Sequence, residues 1–244
     1  IFEAAHARDI LVCFHPRADY LGSPKEGMAA VTPDGQVLAI NRNGTDILGI
    51  RQVDAVRRGD GFDYEPVFRT LAPRIRAADL AVVNLETTLT RRSRYTGYPL
   101  FRSPAALADA LRDAGVDVAV LANNHCCDNG AEGIRTSVEE LDRCGIRHTG
   151  AFADSADYKK NNPLYLTYCG IRLAIVNYTY GTNGMPVPEG TVVNLIDTVR
   201  MAADLAAARA SGLWPRTSVS SFQSSAMRST VAVAISEAPA ACSS

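Results

Sequence analysis

No apolar run in this 244-residue chain is long enough to span a bilayer. No Cys-x-x-Cys pair occurs among its six cysteines: Cys126 and Cys127 are adjacent, and Cys13, Cys144, Cys169 and Cys242 are scattered. That is neither a zinc pattern nor a disulfide framework, and it leaves most of them as small buried apolar residues. Neither sign of charge dominates, since the formal net charge is -1. Electrostatics therefore give no case for nucleic acid or an anionic membrane surface. No Gly-x-Gly-x-x-Gly follows a strand pattern, which removes a dinucleotide-binding reading. No histidine follows His148, and no signal peptide is visible. The chain opens at Ile1 rather than Met, as a fragment or a processed form would. What is present, 47% hydrophobic and 21% charged residues, suits a globular protein with ample core for one large domain or two small ones.

The chain is organised around Val116-Asp-Val-Ala-Val-Leu-Ala-Asn-Asn-His-Cys-Cys-Asp-Asn-Gly130. Its first half reads as a strand buried on both faces. It ends abruptly in Asn123, Asn124 and His125, with Asp128 just beyond and a helix pattern following. Such strand ends collect ligands and catalytic groups in open α/β sheets. Spacing alone leaves a second reading open, in which the loop only caps the next helix with Asp128 as N-cap.

Around it, strands and helices alternate. Residues 65–78 have helical spacing, with Pro66 in the first turn and Pro73 as a kink. Asp79 to Glu86 is a second buried strand, ending in Asn84 and Glu86. Residues 91–101 are a loop, 104–114 a helix, 130–144 a helix, and 146–150 a short strand. That strand carries His148, read as a satisfied edge residue rather than a ligand. Residues 164–168 and 171–180 form a hairpin across Cys169-Gly170, and 198–211 is an alanine-rich helix. His6 and His15 fall in a segment without clear pattern. The alternation with one hairpin predicts an α/β protein with a mixed sheet. Polar groups end three strands, at Thr45-Asp46, Asn84-Leu-Glu86 and Asn123-Asn-His125. If the strands are neighbours, carboxylates, amide and imidazole meet at one sheet edge. That donor set suits Mn, Fe, Mg or Zn, with the imidazole placed to protonate a leaving oxygen.

Residues from about Asp46 to Gly184 resemble the CapA-type family of bacterial poly-gamma-glutamate and capsule synthesis, relatives of the calcineurin-like metallophosphoesterases. The motifs are Gly59-Asp-Gly-Phe-Asp-Tyr64, Asn84-Leu-Glu86, Gly97-Tyr-Pro-Leu-Phe101, Ala122-Asn-Asn-His125 with Asp128 and Gly130, His148-Thr-Gly150, and Asn177 to Gly184. Each is weak alone; their order and spacing are specific. The resemblance implies a four-layer α/β sandwich of the metallophosphoesterase type. It implies Asp46, Glu86 and Asn124 as ligands of a divalent metal and His125 as the catalytic histidine. Asn84, Tyr98, Tyr180 and Asn183 are then candidates for binding a small-molecule or capsule-polymer substrate. Other capsule-synthesis proteins are the implied partners, at the cell envelope or in the cytoplasm.

The chain also departs from that pattern. Ile50 stands where the family places a histidine, and Thr45 is inserted before Asp46. The His-Trp-Gly and Gly-His-x-His motifs that complete the family's metal site do not follow Gly212. Composition changes at Trp214-Pro215, and residues 214–244 are rich in Ser and Ala with Glu237 as the single acidic residue. That segment reads as a natural polar tail or as out-of-frame translation, disordered or adding one edge strand at Thr230 to Ile235. The expected organisation is an unassigned segment 1–40, a domain 41–213 missing its last strands, and this tail. Catalysis is expected to be impaired. The rival expectation is a non-catalytic envelope or capsule-assembly partner that keeps only the fold.

Overall fold

The computed structural model describes residues 56–97, 99–168 and 171–211 with their side chains, together with Val53 and the backbone strands 10–13, 29–31, 37–40 and 229–235. Expectations that fall on Asp46, Tyr98, His6, His15, Cys169, Gly170 and the rest of residues 212–244 lie outside the described residues.

In chain order, β1 is Ile10–Cys13, and β2 (Ala29–Val31) pairs antiparallel with β3 (Val37–Ile40). The strands β4 (Arg57–Arg58) and β5 (Gly61–Phe62) form a small hairpin. The single kinked helix expected over 65–78 is two short helices, α1 (Glu65–Phe68) and α2 (Ala72–Arg76). Each carries a proline in its first turn. Pro73 has no N–H to continue a helix but fits the start of one, so the chain breaks and restarts. Then come β6 (Leu80–Asn84), the parallel pair β7 (Thr88–Thr90) and β8 (Arg102–Pro104), α3 (Ala106–Ala114), β9 (Val118–Val120) and α4 (Gly130–Arg143). Next are β10 (Arg147–Thr149), β11 (Ala151–Phe152), α5 (Ser155–Asn161), β12 (Leu164–Tyr168) and β13 (Ile171–Thr179). The chain continues through β14 (Val192–Val193), α6 (Thr198–Ala210) and β15 (Ser229–Ile235). Helices α5 and α6 start on Asp154 and Asp197, whose carboxylates each accept two backbone N–H groups of the first turn. Such a cap contributes about 1 kcal/mol.

Two sheets carry the architecture. The first, ordered β1-β6-β9-β10, is parallel throughout. The second, β12-β13-β15, is antiparallel. The period-two alternation of strand side chains sorts the core between them. Leu80, Val82, Val118 and Val120 face Leu164, Leu173 and Ile175 of the second sheet. Ala81, Ala119 and Leu121 face the helices, among Ile75, Leu111, Ile134, Val138 and Leu141. On the outer face of β13, Ala174 packs on Ala208 of α6, and the Tyr178 hydroxyl donates to Asp204 at 2.5 Å. The layers run helix, sheet, sheet, helix, so this is the expected mixed α/β sandwich. Each large side chain buried between them contributes about 1.5–3 kcal/mol.

The hairpin and the edge position of His148 also stand as expected, since β10 ends the parallel sheet, but its ring nitrogens are not satisfied by hydrogen bonds among the described residues. Within residues 214–244, β15 adds an edge strand along Leu173 to Thr179. A polar knot ties the two sheets behind the strand ends. The buried Asn177 amide accepts from the Ala122 N–H at 2.6 Å and donates to the Ala122 carbonyl at 3.3 Å. Asn194 donates to the Asn177 carbonyl, and its own N–H reaches the Gly150 carbonyl. Gly150 has φ 103°, and a Cβ there would stand 2.1 Å from Asn177 Oδ1 and 2.6 Å from the Ala122 nitrogen. Only glycine lets the strand following β10 pass this knot.

Candidate functional site

The carboxyl ends of β6 and β9 deliver their polar residues to one edge, as the sequence pattern predicts. β6 and β9 are hydrogen-bonded neighbours, with Asn84 opposite Val120. Beyond β9 the chain turns sharply around Asn123, which is 1% exposed. Its Nδ2 donates to Asn84 Oδ1, the Leu85 carbonyl and the Leu121 carbonyl, and its Oδ1 accepts the His125 N–H at 3.0 Å. An asparagine that satisfies its own backbone two residues on is a turn former, and here it aims His125. Asn84 is held in the same network, with its Nδ2 donating to Glu86 Oε2 at 3.3 Å.

His125 is buried, and its Nδ1 lies 2.7 Å from Asp128 Oδ2. Asp128 does not cap α4: the cap position is Asn129, with no side-chain hydrogen bond. Instead Asp128 Oδ2 also accepts the Phe101 N–H at 2.6 Å. The helix-cap reading of Asp128 is thus replaced by a histidine–carboxylate pair. A carboxylate only accepts, so it fixes the proton on Nδ1 and leaves Nε2 as the working nitrogen. The Phe101 ring packs against the imidazole, with centroids 4.4 Å apart and planes at 70°. Cys126 and Cys127 are buried free thiols just behind, as their expected role as small apolar residues requires.

His125 opens onto a cavity of about 430 Å³ lined by Pro99, Leu100, Asn124, His125, Asn183 and Met185. The loops at 99–101 and 180–185 therefore flank one cleft. Tyr178 faces α6, because strand alternation puts it opposite Asn177. Tyr180 is exposed and its hydroxyl donates to Asn183 Oδ1 at 3.4 Å; Asn124 Nδ2 reaches the same oxygen at 3.3 Å. Phe101 closes the Gly97-Tyr-Pro-Leu-Phe101 motif, whereas Met185 was not singled out by any local pattern and meets the site only through the fold.

The described residues do not by themselves make a metal centre. No three His, Cys, Asp or Glu side chains converge among them in a way that could hold an ion. Glu86 supplies a carboxylate and Asn124 an amide at this edge, while His125 Nδ1 is committed to Asp128.

The parallel and antiparallel sheets with their helices make a mixed α/β fold of the metallophosphoesterase-like type. A family model described as bacterial capsule synthesis protein PGA_cap matches residues 40–238, and the chain belongs to that family. The match runs past the change of composition at Trp214-Pro215. The chain is 28% identical over 139 residues to the capsule biosynthesis protein CapA of Bacillus anthracis, covering 55% of this chain and 33% of that protein. It is 32% identical over 94 residues to the uncharacterized protein y4sH of Sinorhizobium fredii (strain NBRC 101917 / NGR234), covering 36% of this chain and 20% of the relative. The uncharacterized protein y4uA of the same strain matches to the same extent. The chain thus spans a third or less of the length of these relatives.

Proposed function

We propose that this chain acts on a capsule polymer or its precursor, through acid–base chemistry at a phosphate or acyl centre. The observation that supports it is the His125–Asp128 pair, 2.7 Å apart and buried, at the wall of a 430 Å³ cavity. With Nδ1 held by Asp128, Nε2 can take a proton from an attacking oxygen or give one to a leaving oxygen. A positioned group of this kind is worth about 10²–10⁴-fold in rate. Asn124, Asn183 and Tyr180 supply polar contacts to the substrate, and Pro99, Leu100 and Met185 an apolar wall against water. Asn84 ends the neighbouring strand and Glu86 follows it, both within the same hydrogen-bonded network.

A divalent ion at Asp46, Glu86 and Asn124 is a separate part of the proposal. Glu86 and Asn124, just beyond the ends of neighbouring strands, support it; the ligand count among the described residues does not. The second reading is a capsule-assembly partner that keeps the fold with little turnover. One experiment separates the two. Purified protein is assayed against a phosphodiester, a phosphomonoester and an acyl-polymer substrate with added manganese, zinc or magnesium, alongside metal analysis. Turnover lost in both His125→Ala and Glu86→Ala supports the enzyme. Weak metal uptake and no turnover from a folded protein overturns it in favour of the partner.

A further inference from the structure

Among the described residues, Asn183 is the one non-glycine residue with a left-handed backbone, at φ 53°. Glycine would adopt that conformation more readily, so the side chain needs a reason to be there. The turn does not supply one. Its backbone is pinned by Met185 N–H to the Thr182 carbonyl at 2.9 Å and by Thr182 Oγ1 to the Met185 carbonyl at 2.5 Å. Thr179 Oγ1 donates to the Gly181 carbonyl at 2.9 Å on the other side.

The amide itself reaches the site. Asn183 Oδ1 faces two donors, Asn124 Nδ2 at 3.3 Å and the Tyr180 hydroxyl at 3.4 Å. That sets the orientation of the amide and turns Nδ2 toward His125, 3.5 Å from Nδ1 and 3.4 Å from Nε2. Near-equal distances to the two ring nitrogens put the amide over the ring face. An in-plane approach at those lengths would collide with Cε1. The imidazole is thus held by Asp128 in its plane, by Phe101 against the ring, and by an N–H group over its face. Contacts of this last type are weak singly but directional.

We propose that Asn183 is a positioning residue, which keeps the His125 imidazole seated on Asp128 and leaves Nε2 to the cavity. The proposal rests on the acid–base reading of His125, and its test reads the ring rather than turnover. The full chain, labelled with ¹⁵N-histidine, is examined by NMR for the His125 Nδ1–H proton, with a melting curve beside it. The substitution is Asn183→Gly, which keeps the left-handed turn and removes only the amide. The expected result is an equal or higher melting temperature with Nδ1–H exchange about 10-fold faster, because hydrogen exchange reports local opening. Wild-type exchange in Asn183→Gly overturns the proposal while leaving the His125–Asp128 pair standing. Absence of a protected Nδ1–H in the wild type, with Asp128→Asn as reference, overturns the pair and the proposal with it.

Discussion

The turn after β9 and the strand β10 lie side by side, and each buries an imidazole: His125 is 7% exposed and His148 is 1% exposed. Both have carboxylates nearby, yet they are different objects. His125 meets Asp128 at 2.7 Å. His148 Nε2 is 3.5 Å from Asp142 and 3.6 Å from Asp157, and neither of its ring nitrogens makes a hydrogen bond among the described residues. Asp157 is already committed, accepting from Asn161 Nδ2 at 2.7 Å and the Ala153 N–H at 2.8 Å. Asp142 is half exposed. Burial beside a carboxylate does not make an acid–base pair. The pair needs a carboxylate whose own anchoring, here the Phe101 N–H, points its free capacity at the ring.

The largest effect is expected at the knot that connects the two regions. Gly150 follows His148 by two residues and holds the Ala122–Asn177 contacts that lead into the His125 turn. Gly150→Ala puts a methyl group into Asn177 Oδ1 and the Ala122 backbone, at a φ that disfavours any Cβ. The expected cost is about 3 kcal/mol or more, at the upper end for overpacking. Chemical denaturation measures it, and both imidazoles should shift in the histidine NMR spectrum. A loss confined to His148 would mean that the two regions are independent.

A smaller and more local effect is expected from the carboxylates. Asp128→Asn keeps the shape but puts an amide into a buried place that offers its N–H groups no acceptor. The expected cost is about 1–3 kcal/mol. If the site turns over substrate, the rate should fall about 10²-fold or more, as a lost acid–base partner implies. Asp142→Asn should stay within about 0.5 kcal/mol, as an exposed substitution does. Equal costs for the two would erase the distinction between the histidines.

Much of this was legible in the chain. Leu80 to Val83 and Val118 to Leu121 read as strands buried on both faces, and the structure sorts them alternately into the two halves of the core. The polar residues that end those runs, Asn84, Glu86, Asn123, Asn124 and His125, do collect at one edge. Alternation along β13 also separates Asn177, turned to the first sheet, from Tyr178, turned to α6. The short strands β7, β8 and β14 were not legible, because two or three residues carry no period. The role of Asp128 stayed open for a different reason. An acid just before a helix looks the same whether it caps the helix or holds a histidine three residues back. The deciding contact is the N–H of Phe101, 27 residues upstream, which no local pattern encodes.

The smallest effect is the pH dependence that His148 adds to stability. The folded-state pKa of His148 lies below the ordinary imidazole value of 6.5, chiefly because burial penalises the charged ring. Asp157 and Asp142 pull it upward, while Lys160 and Arg147 add to the lowering. The unfolded chain therefore binds this proton more readily than the folded one. Linkage then fixes the sign: stability is present in full above pH 6.5 and is lost as pH falls from there through the lower folded-state value. His148→Leu removes the titrating group and both ring nitrogens, which lack a hydrogen-bond partner among the described residues, and leaves Asp142 and Asp157 in place. It should flatten that part of the stability profile and leave stability above pH 6.5 little changed, since two unsatisfied polar atoms leave with the ring. The measurement is the denaturation midpoint of wild type and variant across pH 5 to 8, compared at each pH. An unchanged slope in His148→Leu would move the acid sensitivity to another group and leave His148 a packing residue.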